Sequence, residues 1–252
     1  MTASQTAWAS HVRISSVLVL CGALLGGCGG GGSSSSVAPP PGTTFPLQSA
    51  LASWLASGYT KTATLSGTAS YLGASYPISG SLALSASPLT SSGITFDGLP
   101  ASSTTLSVNG SVSVAGQTLS LTSTQQSYFS TTLQPLGYSS SSAYCVAASP
   151  GSYPATVQVG DAATVVTYDC FSDSSMTTAT GKATVGFSVG TAYSSTTATI
   201  SLTEVETDTA GNTVSRSTDN YVISTAGTLD LVSGSALQTD SGVTLDMTLA
   251  IQ

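Results

Sequence analysis

The sequence predicts an all-β protein, mainly an antiparallel meander, with one short N-terminal helix. Three patterns carry this. From Lys61 onward apolar residues recur at every second position over many short runs. Gly, Asn, Asp and Ser punctuate those runs where turns are needed. A helical spacing of apolar residues occurs once, ahead of the first run. Such a meander can form one or two packed sheets or a curved half-barrel.

The helix is expected over 45–57, where Leu47, Leu51, Trp54 and Leu55 fall on one stripe at spacings of three and four. Gly58 is placed to stop it. A stripe of this kind packs on a sheet. The competing role, lying on a membrane, favours a polar face rich in Lys and Arg, which this segment lacks.

Strands are expected at 62–71, 79–86, 93–97 and 104–109, then as a hairpin over 111–123 turning at Ala115-Gly116. A two-residue loop there sets Val112 opposite Leu119. Further strands are expected at 126–131, 143–147, 155–159, 163–170, 195–206, 212–224 and 228–232. The clearest alternation is Ala183, Val185, Phe187 and Val189, and again Val243, Leu245, Met247, Leu249 and Ile251. A weak internal echo relates Gly116–Ser120 to Gly211–Ser215 and Tyr128 to Tyr221, as two similar meanders would.

Ser and Thr make up 86 of the 252 residues, and only 6% are charged. Beyond residue 28 three cations, Lys61, Lys182 and Arg216, face eleven carboxylates. A surface this acidic has no basic patch to neutralise phosphates, so nucleic acid is not an expected partner. Anionic lipid headgroups would repel it as well.

The start of the chain differs from the rest. A polar stretch ending His11-Val12-Arg13 precedes an apolar run over 14–25, which is too short to span a bilayer. It ends Leu25-Gly26-Gly27-Cys28. This resembles the lipobox of bacterial prolipoproteins: an aliphatic residue, two small residues and the lipidated cysteine. The resemblance covers about 28 residues. It implies a signal peptide over 1–27, acyl chains (palmitate among them) on Cys28, and a cell-envelope location. In the sorting logic of that family Gly29, in place of Asp, directs the protein to the outer membrane. The weakly charged start, with Arg13 alone, departs from the family pattern. Residues 28–43 are rich in Gly, Ser and Pro and are expected to be a flexible tether with a reach of roughly 20–25 Å. A single β-rich exported domain is then expected over 44–252. Its stretches Ser139–Cys145 and Tyr153–Asp161 resemble uncharacterised β-rich envelope lipoproteins, a likeness that implies no activity.

Cys145 and Cys170 are the remaining thiols after Cys28, and an oxidising compartment lets them form a disulfide. Their spacing is unlike Cys-x-x-Cys redox sites, and no third metal ligand accompanies them. No cofactor motif is present. The sole histidine, His11, falls in the signal segment, so the mature chain cannot assemble a Ser-His-Asp or Cys-His triad. We therefore expect no enzyme but a tethered domain that binds a protein, glycan or apolar ligand, or is structural. Two alternatives are a lipid- or lipoprotein-handling half-barrel and a carboxylate-based envelope hydrolase. The hydrolase would use Glu204 and Glu206, which share a strand face with Ala198, Ile200 and Leu202. The plainer reading sets both glutamates in solvent at a strand end, with Asp208 and Asn212 in the following turn; a loop of three or five residues there would set Arg216 diagonally opposite Glu204, able to pair with it. Asp169 and Asp173 read as a turn around Cys170.

Overall fold

A computed structural model describes residues 39–192 and 194–252. The signal segment, Cys28 and most of the tether lie outside the described residues. The chain enters through Phe45, whose backbone pairs with Val157, and then forms α1 (Leu47–Ser57). Thirteen strands follow: β1 (Tyr59–Tyr71), β2 (Ala74–Ala86), β3 (Thr90–Phe96), β4 (Leu99–Val114), β5 (Gln117–Phe129), β6 (Pro135–Ser140), β7 (Tyr144–Ala147), β8 (Ala162–Phe171), β9 (Ala179–Thr191), β10 (Thr197–Asp208), β11 (Thr213–Ser224), β12 (Leu229–Asp240) and β13 (Val243–Ile251).

All pairings are antiparallel, and the sheet closes on itself. β1 lies between β13 and β2, and β2 pairs with β4 rather than β3. The result is a closed barrel of twelve strands, with β3 added outside the ring. The length of β4 explains this arrangement. Its Leu106–Val114 half pairs with β2, while Leu99–Ser103 pairs with β3. The all-β class with one short helix is thus as expected. Closure leaves no sheet edge exposed around the ring, which removes the edge hazard of a half-barrel.

Alternation sets what each face holds. Along β1, Ala63, Leu65 and Ala69 are buried in the lumen while Thr60, Thr62, Thr64, Ser66 and Thr68 stand in solvent. The register continues the hydroxyls sideways, so that Thr64, Ser81, Ser111 and Ser120 form one row over four strands. The abundance of Ser and Thr therefore has a structural place: they coat the outside of a barrel whose interior is apolar.

α1 seals one mouth. Its start is held by the Phe45–Val157 pairing in the β7–β8 connection, and Pro46 lies beside Gly227 in the β11–β12 turn, its Cγ 3.3 Å from where a Cβ would stand. Its end is held by the β2–β3 connection, where the Leu89 N–H donates to the Leu55 carbonyl. These connections all lie at the same end of the barrel. The stripe formed by Leu47, Leu51, Trp54 and Leu55 turns inward, as its spacing predicts. Trp54 stacks on Tyr59 at 4.8 Å and meets the edge of Tyr221 at 5.6 Å.

Several strand expectations need correction. Residues 155–159 form no strand; Val157 makes a single bridge to Phe45. β6 was not expected, and β12 runs eight residues past the expected end at 232. The 111–123 hairpin does turn at Ala115-Gly116, both with positive φ (51° and 78°), and Val112 faces Leu119. The internal echo falls on two hairpins, β4–β5 and β10–β11, but its tyrosines differ. Tyr221 is fully buried in the core, while Tyr128 is half-buried and stacked on Phe96.

Candidate functional site

The lumen holds a group of ionisable side chains beneath α1. β10 supplies its centre. Ala198, Ile200 and Leu202 point inward, and the same parity brings in Glu204, which is 2% exposed. The expected solvent position for Glu204 is therefore wrong: the strand does not leave the core where its apolar residues stop. Glu204 lies between Val185 of β9 and Ser217 of β11, and Glu206 between Ala183 and Ser215.

Tyr138 of β6 reaches both carboxylates across the lumen. Its hydroxyl lies 3.2 Å from Glu204 Oε1 and 3.4 Å from Glu206 Oε1. Ser215 Oγ donates to Glu206 Oε2 at 3.0 Å. One phenol proton serves only one carboxylate at a time, so the arrangement is best satisfied when a glutamate carries a proton of its own. Burial favours the same state. It pushes the Glu204 carboxyl up to about 8, the neighbouring Glu206 charge adds to this, and the Tyr138 hydrogen bond opposes it. Burial also raises Glu206, against the pull of Ser215 and Tyr138. Burial, followed by the two glutamates, lifts Tyr138 well above the ordinary phenol range. Asp219 on β11 is a second fully buried carboxylate, opposite Leu202.

Between α1 and this group is a cavity of about 60 Å³, lined by Trp54, Tyr138, Tyr153, Tyr168 and Glu204 among others. It extends toward Gln48, which is exposed, and Leu133, which is half-buried. Ligand pockets for drug-sized molecules are usually ~300–1,000 Å³. Among the described residues no group of three or more His, Cys, Asp or Glu is placed to hold a metal ion. No protein family, curated protein or solved structure matches this chain. The site must therefore be read from its own chemistry.

The other candidate residues separate cleanly. Cys145 and Cys170 form a disulfide between β7 and β8, directly opposite in register with their Cα atoms 4.1 Å apart. Both are buried on the luminal side, and Cys170 Sγ is 3.9 Å from the Tyr138 hydroxyl. Arg216 does not approach Glu204. The β10–β11 loop has four residues, 209–212, and a bulge at Glu206/Thr207. This register puts Ser217 opposite Glu204 and leaves Arg216 exposed opposite Val205. Asp208 does cap the turn, accepting from the Ala210 and Asn212 amides and from Asn212 Nδ2. Asp173 likewise accepts from the Ser175 amide, but Asp169 lies on β8 and pairs outside with Lys182. Lys61 pairs with Asp230 at 2.7 Å.

The sequence does not mark Tyr138, Tyr153 and Tyr168 as site residues. Tyr168 shared the parity of Val166 and Cys170, a signal that could have placed it inside. Tyr138 belongs to a strand the sequence hides behind Pro135 and Gly137.

Proposed function

We propose that the protein is a lipid-anchored cell-envelope protein, held at the outer membrane through Cys28, whose barrel is a non-catalytic binding or structural domain. The observation that carries this reading is the hydroxyl-coated outer wall. A barrel that spans a bilayer turns an apolar band about 25 Å tall toward lipid. The wall here turns Thr62, Thr64, Ser66 and their register neighbours outward instead, which suits water. With few cations to hold lipid headgroups, attachment falls to the acylated cysteine, and two or more acyl chains suffice for stable anchoring.

The filled lumen favours binding of something small over the two alternatives. A lipid carrier must house acyl chains, and a glycosidase must seat a sugar ring between its carboxylates. A cavity of about 60 Å³ beneath α1 suits neither. The hydrolase reading does draw support from the raised Glu204 carboxyl beside Glu206.

The test is fractionation of cells expressing the full chain or its Cys28→Ser variant. Wild-type protein is expected in the membrane fraction. The variant is expected in the soluble fraction with its barrel folded, a shift of most of the protein. A Cys28→Ser protein that still pellets with membranes contradicts the proposal.

A further inference from the structure

We infer that the cavity beneath α1 is a binding site for a small alkylammonium ion, with Glu204 as its counter-charge and the surrounding aromatic rings as its walls. The inference rests on reading the barrel as a binding domain and supplies the ligand class.

The first argument is charge. Glu204 is buried, and Tyr138 provides the one hydrogen bond it receives among the described residues. No cation faces it. The ion pairs among the described residues are Lys61–Asp230 and Lys182–Asp169, and Arg216 stands on the outer wall. A buried carboxylate without a cation is costly unless it is neutral or gains a partner. Ser217 repeats the signal. It lies directly opposite Glu204 in register, is buried, and its Oγ has no hydrogen-bond partner among the described residues.

The second argument is the wall. Trp54, Tyr138, Tyr153 and Tyr168 line the same cavity, and the Tyr138 and Tyr168 rings meet edge to face with centroids 5.5 Å apart. Ring faces attract cations most strongly when the cation is desolvated, tryptophan best, then tyrosine and phenylalanine. An anion would meet the carboxyl of Glu204 in the cavity wall and be repelled when it is ionised. A neutral apolar ligand would gain nothing from Glu204 and would leave the Ser217 hydroxyl without a partner.

The third argument is size. A water takes about 30 Å³ of liquid, and a dry cavity of ~150 Å³ holds benzene. A cavity of about 60 Å³ therefore takes an ammonium group bearing one or two carbons, or the head of a longer amine that leaves past Gln48 and Leu133. Binding requires ionised Glu204, so a proton leaves as the amine enters. Glu206, Tyr138, Tyr153, Tyr168 and Asp219 are the other titratable groups around it.

The experiment is ligand-observed NMR and calorimetry on the full lipidated chain in non-ionic micelles, with ethylammonium chloride and its neutral near-isostere ethanol. Ethylammonium is expected to saturate one site at pH 8.5. Ethanol should bind at least about tenfold more weakly, and so should ethylammonium at pH 5.5. Glu204→Gln is expected to weaken ethylammonium at least about tenfold. No saturable ethylammonium binding, equal binding of ethanol, or undiminished binding to a folded Glu204→Gln protein each overturns the inference. The amine–alcohol comparison needs no variant. Failure here is distinguishable from failure of anchoring, because the Cys28→Ser fractionation does not depend on the cavity.

Discussion

Glu204→Gln is expected to make the barrel more stable above neutral pH and to flatten its pH dependence. In the unfolded chain Glu204 titrates near 4.5; in the folded barrel burial moves it to about 8. Between those values the folded state holds a proton that the unfolded state has released. Stability therefore falls as pH rises through this window and levels off beyond about 8. At ~1.4 kcal/mol per pH unit the loss is on the order of 5 kcal/mol, a large share of the ~5–15 kcal/mol typical of a domain. Glu206 shifts in the same direction and adds to the slope. Asp208 and Asp173, lowered by their turn hydrogen bonds, act oppositely and only below the ordinary carboxylate range. Gln at 204 keeps an acceptor for Tyr138 and never ionises. Urea melts of wild type and variant at pH 5, 7 and 9 read the effect: the two stabilities should diverge as pH rises. Parallel curves would show that the lumen does not hold Glu204 as the structure places it.

The second large effect concerns the disulfide. Cys145 and Cys170 are 25 residues apart in sequence. Closing a loop of that size stabilises by about 3 kcal/mol through the entropy of the unfolded chain. That loop includes the β7–β8 connection, whose Val157 pairs with Phe45 and so fixes the entry to α1. Losing the bond frees the segment that seats the helix over the mouth. A Cys145→Ala, Cys170→Ala protein is expected to melt about 3 kcal/mol less stable than wild type. The bond leaves no free thiol on either residue, so thiol reagents should label neither in the unreduced protein, even after unfolding. Labelling of both without reductant would contradict the bond.

Period-two alternation made most strands legible because each has one face in the lumen and one in water. β9 and β13 are clear examples: Val185 and Phe187, or Leu245 and Met247, alternate with Thr, Ser and Asp. The helix was legible for the corresponding reason, since only its stripe is buried. What stayed hidden was non-local. Closure depends on β2 finding β4 across β3, a choice set by the length of β4 rather than by any residue pattern. Midway along β12, Ser233-Gly234-Ser235 reads as a turn but is held as strand by partners on both sides. Glu204 and Glu206 read as a polar strand end because charged residues usually leave the core. Here Tyr138, sixty-six residues away in sequence, supplies the partner that keeps them inside. The disulfide partners were visible by elimination, but their contact with the Tyr138 hydroxyl was not.

Intact-mass spectrometry of the protein purified from membranes tests whether Cys28 carries the membrane anchor of this barrel. The expected chain begins at Cys28 and carries added mass equal to a diacylglyceryl group with or without an N-acyl chain, all of it on that residue after proteolysis. A chain beginning elsewhere, or beginning at Cys28 with no added lipid, would contradict it.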